Sequence, residues 1–324
     1  MAHACRRPWV LIAISHRTAE QKLPRSMNRV TISWAWNASK DLMPQLRMRV
    51  RFIGAALRER EISQQLATAD PGSAMGQLLV EQPQTAAMLI SPYQCAAWGA
   101  KTRFSRLSSH LEVVGRIPGL DLALDEKLVL ADLSGFSPGA RLILDRAPWL
   151  SREGHLTLSL FKDEFRAFTV SFSLYGFPET ELFIGGLQGR QSDEILSMYR
   201  DLTKDFEGIR PRDFILEMLR LFAAKIGVRH IYAVADDHKI SRHKYFGEKG
   251  APGLYYDDVW RERSGERVAN THFELPIKGS RRPLEEIASK KRSMYRRRYE
   301  MLDRIEAALP DDLTKAELRR FDAK

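Results

Sequence analysis

Apolar and polar residues alternate with a period of two along 156–174. Leu156, Leu158 and Leu160 are interleaved with Thr157 and Ser159, and Phe168, Val170, Phe172 and Leu174 with Thr169, Ser171 and Ser173. Successive side chains of a strand point to opposite faces, so each run predicts a strand with one buried face. Lys162-Asp163-Glu164 separates the two runs, and Gly176-Phe177-Pro178 separates the second from a third, Leu182-Phe183-Ile184. Connections this short make the strands antiparallel neighbours. Strand signals extend over 125–187, and a further buried strand is expected over 228–235, through His230-Ile231-Tyr232-Ala233-Val234.

Elsewhere the period is helical. Leu42, Leu46, Val50, Ile53 and Leu57 recur at the spacing of an amphipathic helix, with Arg49, Arg51 and Arg60 on its solvated face. Residues 38–115 read as mostly helical, with further helix over 75–90, interrupted at Pro83, and over 103–114, beyond Pro92. Ser192 followed by Asp193-Glu194 caps a helix reaching Phe206. Pro211 suits the first position of a helix burying Phe214, Ile215, Met218, Leu219, Phe222 and Ile226, which Gly227 ends. Residues 236–280 read as irregular apart from a strand within 268–275. A long helix follows over 283–309, with Leu284, Ile287, Met294, Met301, Leu302 and Ile305 on its apolar side, and a short polar helix over 311–322.

This order predicts an α+β fold: an N-terminal helical region, a mixed, mainly antiparallel sheet with packed helices, and a long basic C-terminal helix. The expected organisation is an extension over 1–37, a helical region over 38–120, a sheet domain over 121–280, and a basic helical segment over 281–324 packed on the sheet domain. Met27 is an alternative start, so the fold is read without residues 1–26.

Composition narrows the picture. With 44% hydrophobic residues in 324, the chain can bury a core and is not disordered. A net charge of +10 attracts phosphates on lipid head groups, small anions or, less readily, nucleic acid, although many proteins are this basic without any polyanion partner, which is the stronger reading of charge alone. Cys5 and Cys95 alone exclude a disulfide framework or a cysteine zinc site and fit a reducing compartment. No run approaches the roughly 20 apolar residues of a spanning helix. Arg6-Arg7-Pro8 followed by Trp9-Val10-Leu11-Ile12-Ala13-Ile14 is too short for a secretory signal. A cytoplasmic protein, or one peripheral to the inner membrane, is expected.

Four constellations could carry chemistry. Gly185-Gly186-Leu187-Gln188-Gly189 follows a strand, where glycines allow close backbone approach, either to an anion near Gln188 or within a strand bulge. Gly208-Ile209-Arg210-Pro211-Arg212 opens a helix, so Arg210 and Arg212 are candidate anion ligands or ordinary solvated side chains. The turn from Asp236 to Phe246 follows a buried strand and offers His238 and Tyr245 as proton-transfer candidates, the alternative being a polar surface turn. His238 and His243 are five apart, the wrong spacing for a metal pair on a helix, and no metal is expected. Finally, Lys290, Lys291, Arg292, Arg296, Arg297 and Arg298 form a candidate polyanion surface, or a solvated face whose arginine stems pack on neighbours.

Several segments together resemble the VirK/YbjX family of bacterial proteins. They are Leu182-Phe183-Ile184-Gly185-Gly186-Leu187-Gln188-Gly189, Ala223-Ala224-Lys225-Ile226-Gly227-Val228 leading into Ile231-Tyr232-Ala233-Val234, His238, Tyr256-Asp257-Asp258-Val259-Trp260, and Lys290-Lys291-Arg292-Ser293-Met294-Tyr295-Arg296-Arg297-Arg298-Tyr299. The resemblance covers 40–309. It implies a domain of unknown function associated with virulence and with resistance to envelope stress and antimicrobial peptides; with the basic helix, it gives the expectation of a non-enzymatic or regulatory protein acting at an anionic membrane or on a protein partner. It brings no cofactor and no catalytic residue. A second resemblance, at fold level, is to acyl-CoA N-acyltransferases. It implies acyl-CoA, with Arg210 and Arg212 holding the phosphates, although the usual Gly-x-Gly or Gly-x-Ala is missing and a helix intervenes over 192–206.

Overall fold

The alternation over 156–187 becomes three consecutive strands of a longer meander. In the computed structural model, which describes residues 42–190, 192–246 and 254–320 (side chains from Leu46 onward), β1 (Glu126–Asp132), β2 (Ala140–Asp145), β3 (Leu156–Lys162), β4 (Phe165–Tyr175) and β5 (Glu181–Gly189) pair antiparallel in order. β5 then pairs in parallel with β6 (His230–Val234), and β8 (His272–Leu275) and β7 (Glu266–Ala269) complete that side. On the far side β1 pairs with β9 (Glu317–Arg320), giving a mixed sheet of nine described strands.

Both faces of the meander are covered. The apolar face meets α6 (Pro211–Lys225), where Phe172 packs edge-on against Phe222 at 6.1 Å. Proline at the first helical position and Gly227 at a φ of +75° bound that helix as the sequence predicts. The preceding α5 (Asp193–Asp205) is capped by Ser192, whose hydroxyl accepts from the Ile195 N–H. Its exit places Phe206 flat on Phe214 at 4.0 Å. The Ser/Thr face lies under the N-terminal helices. There Ser159 bonds Thr169 at 2.9 Å, Ser173 bonds Tyr93 at 2.7 Å, and His110 of α4 (Ala100–Arg116) accepts from the Leu174 N–H at 3.2 Å. Most hydroxyls on this face are thus paired rather than wet, the buried Ser171 hydroxyl being the exception.

Several expectations are corrected. α1 (Leu42–Arg58) exists, but it turns Phe52 inward against Ile62, Leu66, Leu79 and Leu89, while Leu46, Val50, Ile53 and Leu57 face outward. Helical spacing identifies a stripe, not the side on which the core lies. α2 (Arg60–Ala67) and α3 (Ala74–Glu81) follow, and the helix expected over 75–90 is a 3-10 turn beyond Pro83. Residues 256–262, read as irregular, form α7 (Tyr256–Glu262), with Asp257 and Asp258 in its first turn. The long helix, α8 (Ser289–Ala308), starts later than expected, after a separate 3-10 turn behind Pro283. The polar helix expected over 311–322 is a 3-10 turn followed by β9, because the outer edge of β1 supplies a ladder that a short polar segment can complete. The expectations for residues 1–41 lie outside the described residues.

Phe214 is fully buried between α5 and the sheet. Phe214→Ala is expected to destabilise the fold by about 3–5 kcal/mol, measured by urea unfolding.

Candidate active site where two parallel strands part

β5 and β6 share a ladder only from Glu181↔His230 to Ile184↔Ala233. Beyond that point β6 stays with β8 through Val234↔His272, and β5 stays with β4 through Phe168↔Gly189. The two strands therefore separate at their C-terminal ends, the usual place for a ligand in an open α/β sheet. The separation begins at a bulge: Phe172 pairs with Ile184 and Ser171 with Gly186, leaving Gly185 as the extra residue. The glycine-rich segment is thus a bulge in β5.

What lies against that bulge is a carboxylate that the sequence reading passed over. The loop between β2 and β3 crosses β5 so closely that a Cβ on Gly185 would sit 2.1 Å from the Glu153 carbonyl oxygen, and one on Gly186 would sit 1.8 Å from Glu153 Oε2. The buried Gln94 ties this crossing down, its Nε2 donating to the carbonyls of Glu153 at 3.2 Å and Phe183 at 2.9 Å. Glu153 receives two hydrogen bonds of 2.8 Å from Gln188 Nε2. Burial pushes its carboxyl up to about 7, against the opposing effects of Gln188 and the Lys239 charge. Gln188 itself is exposed, so the half-buried carboxyl lies beside an open edge.

The opposite wall comes from α7 and the turn after β6. The Tyr256 hydroxyl accepts from the Leu187 N–H at 2.8 Å and lies 3.2 Å from its carbonyl, taking the place of the missing neighbour strand. The Trp260 indole donates to the Val234 carbonyl at 2.9 Å. Lys239 pairs with Asp236 at 2.8 Å and lies over the Tyr256 ring at 4.6 Å. Asp236 also accepts from the Tyr256 N–H at 3.0 Å.

The residues singled out from sequence divide around this site. Gln188 is part of it. Tyr245 stands next to it, with the Arg152 guanidinium 5.2 Å from its ring. His238 is held through its carbonyl, which accepts from the Ala96 N–H, and its imidazole lies 3.9 Å from Asp237. Arg210 and Arg212 both bond the buried Asp213, at 2.8 and 2.9 Å, and both reach Glu262. Each guanidinium thus already carries carboxylates, which a phosphate-bearing donor would have to displace. On α8, Arg292 bonds the Glu285 and Ile287 carbonyls, Arg297 pairs with Glu207 at 2.9 Å, and Arg298 bonds the Glu207 carbonyl and covers Tyr295. Lys290, Lys291 and Arg296 are exposed.

A family described as "Protein of unknown function (DUF535)" matches residues 42–311. The chain belongs to this family. The match bears out the VirK/YbjX resemblance: the chain is 32% identical over 238 residues to "Uncharacterized protein YbjX" of Escherichia coli, covering 71% of this chain and 72% of that protein. It is also 24% identical over 277 residues to an "Uncharacterized protein" of Haemophilus influenzae, covering 84% of this chain and 92% of that one. No solved structure matches. The DUF535 match thus spans the helical region, β1 to β8 and α8, and it includes Glu153, Gln188, Lys239 and Tyr256.

A second polar cluster lies on the Ser/Thr face of the sheet. A cavity of about 180 Å³ is lined by His110, His155, Arg146 and Glu81, among others. The two imidazoles stack at 5.5 Å, and Arg146 is held by Glu81 at 3.1 Å and the Leu122 carbonyl at 2.8 Å. Burial, reinforced by the Arg146 charge, lowers His110 to about 3. His155 is likewise far below its ordinary value, through burial and then the neighbouring His110. Among the described residues no group of three potential ligands could hold a metal ion.

Two outcomes follow. Gly186→Ala should leave the protein folded but displace the Glu153 side chain, whereas Gly185→Ala meets backbone and should cost about 1–3 kcal/mol, a contrast visible in thermal melts. Both histidines are neutral in the folded state and protonate near 6.5 once unfolded. Stability is therefore complete above about pH 6.5 and falls as the pH drops below it, by up to about 1.4 kcal/mol per unit for each histidine. His155→Phe should flatten that acid limb.

Proposed function

We propose that this protein is an enzyme of the acyl-transfer class, with Glu153 as its general base. The supporting observation is a half-buried carboxyl where β5 and β6 part, against a glycine bulge and beside the exposed Gln188. A carboxyl whose proton is lost near neutrality is matched to taking a proton from an amine or hydroxyl nucleophile. In this reading the Glu153 carboxylate accepts that proton as the nucleophile attacks an acyl carbonyl, and returns it to the leaving group. The Gln188 amide orients the carboxylate, and Tyr256 and Lys239 close the opposite wall. The antiparallel meander, the bulged strand and the parted parallel pair support the acyltransferase-like reading at the level of fold, which alone does not fix chemistry. Arg210 and Arg212 have no part in it, since Asp213 and Glu262 occupy them. His238 and Tyr245 give way to Glu153 as the proton carrier.

The setting we propose is the one implied by the VirK/YbjX resemblance: virulence, and resistance to envelope stress and antimicrobial peptides. Attachment to an anionic membrane or a protein partner through α8 is less favoured. Arg292, Arg297 and Arg298 are engaged within the fold, which leaves Lys290, Lys291 and Arg296 to carry it.

Calorimetry with acyl-CoA thioesters tests the donor class, and absence of binding at millimolar ligand removes acyl-CoA. Turnover should rise with pH through about 7, and Glu153→Gln should lower it by roughly 10²–10⁴-fold and abolish that limb. The same variant has a stability signature. A carboxyl raised from 4.5 stays protonated in the folded state while the unfolded chain ionises, so its presence weakens the fold as pH rises from about 4.5 to about 7. Glu153→Gln should therefore be neutral at pH 4 and stabilising by about 1–3 kcal/mol at pH 8.

A further inference from the structure

The first helix presents apolar residues to the outside. In α1, Leu46, Val50, Ile53 and Leu57 are 54%, 63%, 58% and 60% exposed. Their spacing of four, three and four puts them in one line along the helix. Phe52 points the other way, into the core. Apolar residues scattered singly over a surface are ordinary, but a contiguous line of them is a mark of an interaction site. The same helix carries Arg47, Arg49, Arg51 and Arg58 and neither Asp nor Glu. At about 100° per residue, Arg47, Arg51 and Arg58 fall together on one flank of the line, and all three are exposed. An apolar stripe bordered by cations suits a helix lying in the plane of a lipid–water interface. At 17 residues α1 is not a spanning segment, and among the described residues no helix is long and apolar enough to cross a membrane.

We propose that α1 is a membrane-docking surface, in which Leu46, Val50, Ile53 and Leu57 enter an anionic bilayer while Arg47, Arg51 and Arg58 contact the lipid phosphates. Charge decides between occupants. A second copy docked stripe to stripe would set one arginine-rich helix against another. Residues 1–41 carry seven Lys and Arg against two Asp and Glu, so they too share the sign of the flank rather than complement it. An anionic lipid surface complements both. This surface is separate from Glu153, and the proposal does not depend on acyl transfer.

The test is flotation of the full chain with phosphatidylglycerol–phosphatidylcholine vesicles at graded salt. The expected result is binding that weakens with salt and is absent on phosphatidylcholine alone. The combined variant L46S/V50S/I53S/L57S replaces exposed residues, so its circular dichroism and melting temperature should stay close to those of the parent. Its apparent affinity should fall roughly tenfold or more. R47E/R51E/R58E should weaken binding and flatten the salt dependence. K290E/K291E/R296E on α8 should leave binding in place. No binding of the parent to anionic vesicles overturns the proposal. So does parental affinity in the serine variant, or loss of binding in the α8 variant alone. A parent dimer that the serine variant turns into monomer, with no vesicle binding by either, assigns the stripe to self-association and also overturns it.

Discussion

Buried backbone groups need hydrogen-bond partners, and β5 is where this molecule meets that requirement in an unusual way. Up to Ile184 the strand has neighbours on both sides; past it, β6 leaves with β8. The Leu187 amide is then satisfied by the Tyr256 hydroxyl, and the Val234 carbonyl by the Trp260 indole. Two aromatic side chains one helical turn apart on α7 thus replace a strand. The bulge at Gly185 and the glycine beside it let the β2–β3 loop lie directly on the strand, which brings Glu153 to the opening. Sheet topology, side-chain caps and a perturbed carboxyl are consequences of one departure of strands.

Much of the scaffold could be read from the chain, and the reason is period. The runs around Leu158 and Val170 alternate cleanly between two covered faces, and Pro211 and Gly227 mark the ends of α6 through backbone geometry that few residues share. Where the signal lacks direction, the reading failed. The line from Leu46 to Leu57 was recognised as helical, but which side packs is set by Phe52 and the helices it meets. β9 is short and polar, and only the unpaired edge of β1, almost two hundred residues earlier in the chain, makes it a strand. Glu153 was missed because nothing local distinguishes it. Its significance comes from Gln188, 35 residues away, and from two glycines noted for their own backbone freedom rather than for what they let approach.

The excess of positive charge has a similar lesson. Arginines that look free in the sequence are largely structural. Arg103 holds the carbonyls of Met88, Ser91 and Trp98, and Arg210, Arg212 and Arg263 converge on Asp213. On α8 the guanidinium groups of Arg297 and Arg298 fasten the helix to the Glu207–Gly208 turn. Guanidinium suits these roles because its planar fork can meet several acceptors at once. Local charge density on α8 therefore counts arginines engaged within the fold together with the exposed Lys290, Lys291 and Arg296, while a less conspicuous set on α1 is exposed beside apolar residues.

The position of β9 has a consequence for biosynthesis. β1 is among the first strands to leave the ribosome, and its partner on the outer side is made after every other strand of the sheet. Throughout translation that flank stays an unpaired row of amides and carbonyls, the kind of edge on which chains can aggregate. Transcripts cut short before Glu317 would leave it permanently open. Quality control of truncated products would thus have a concrete structural target in this fold.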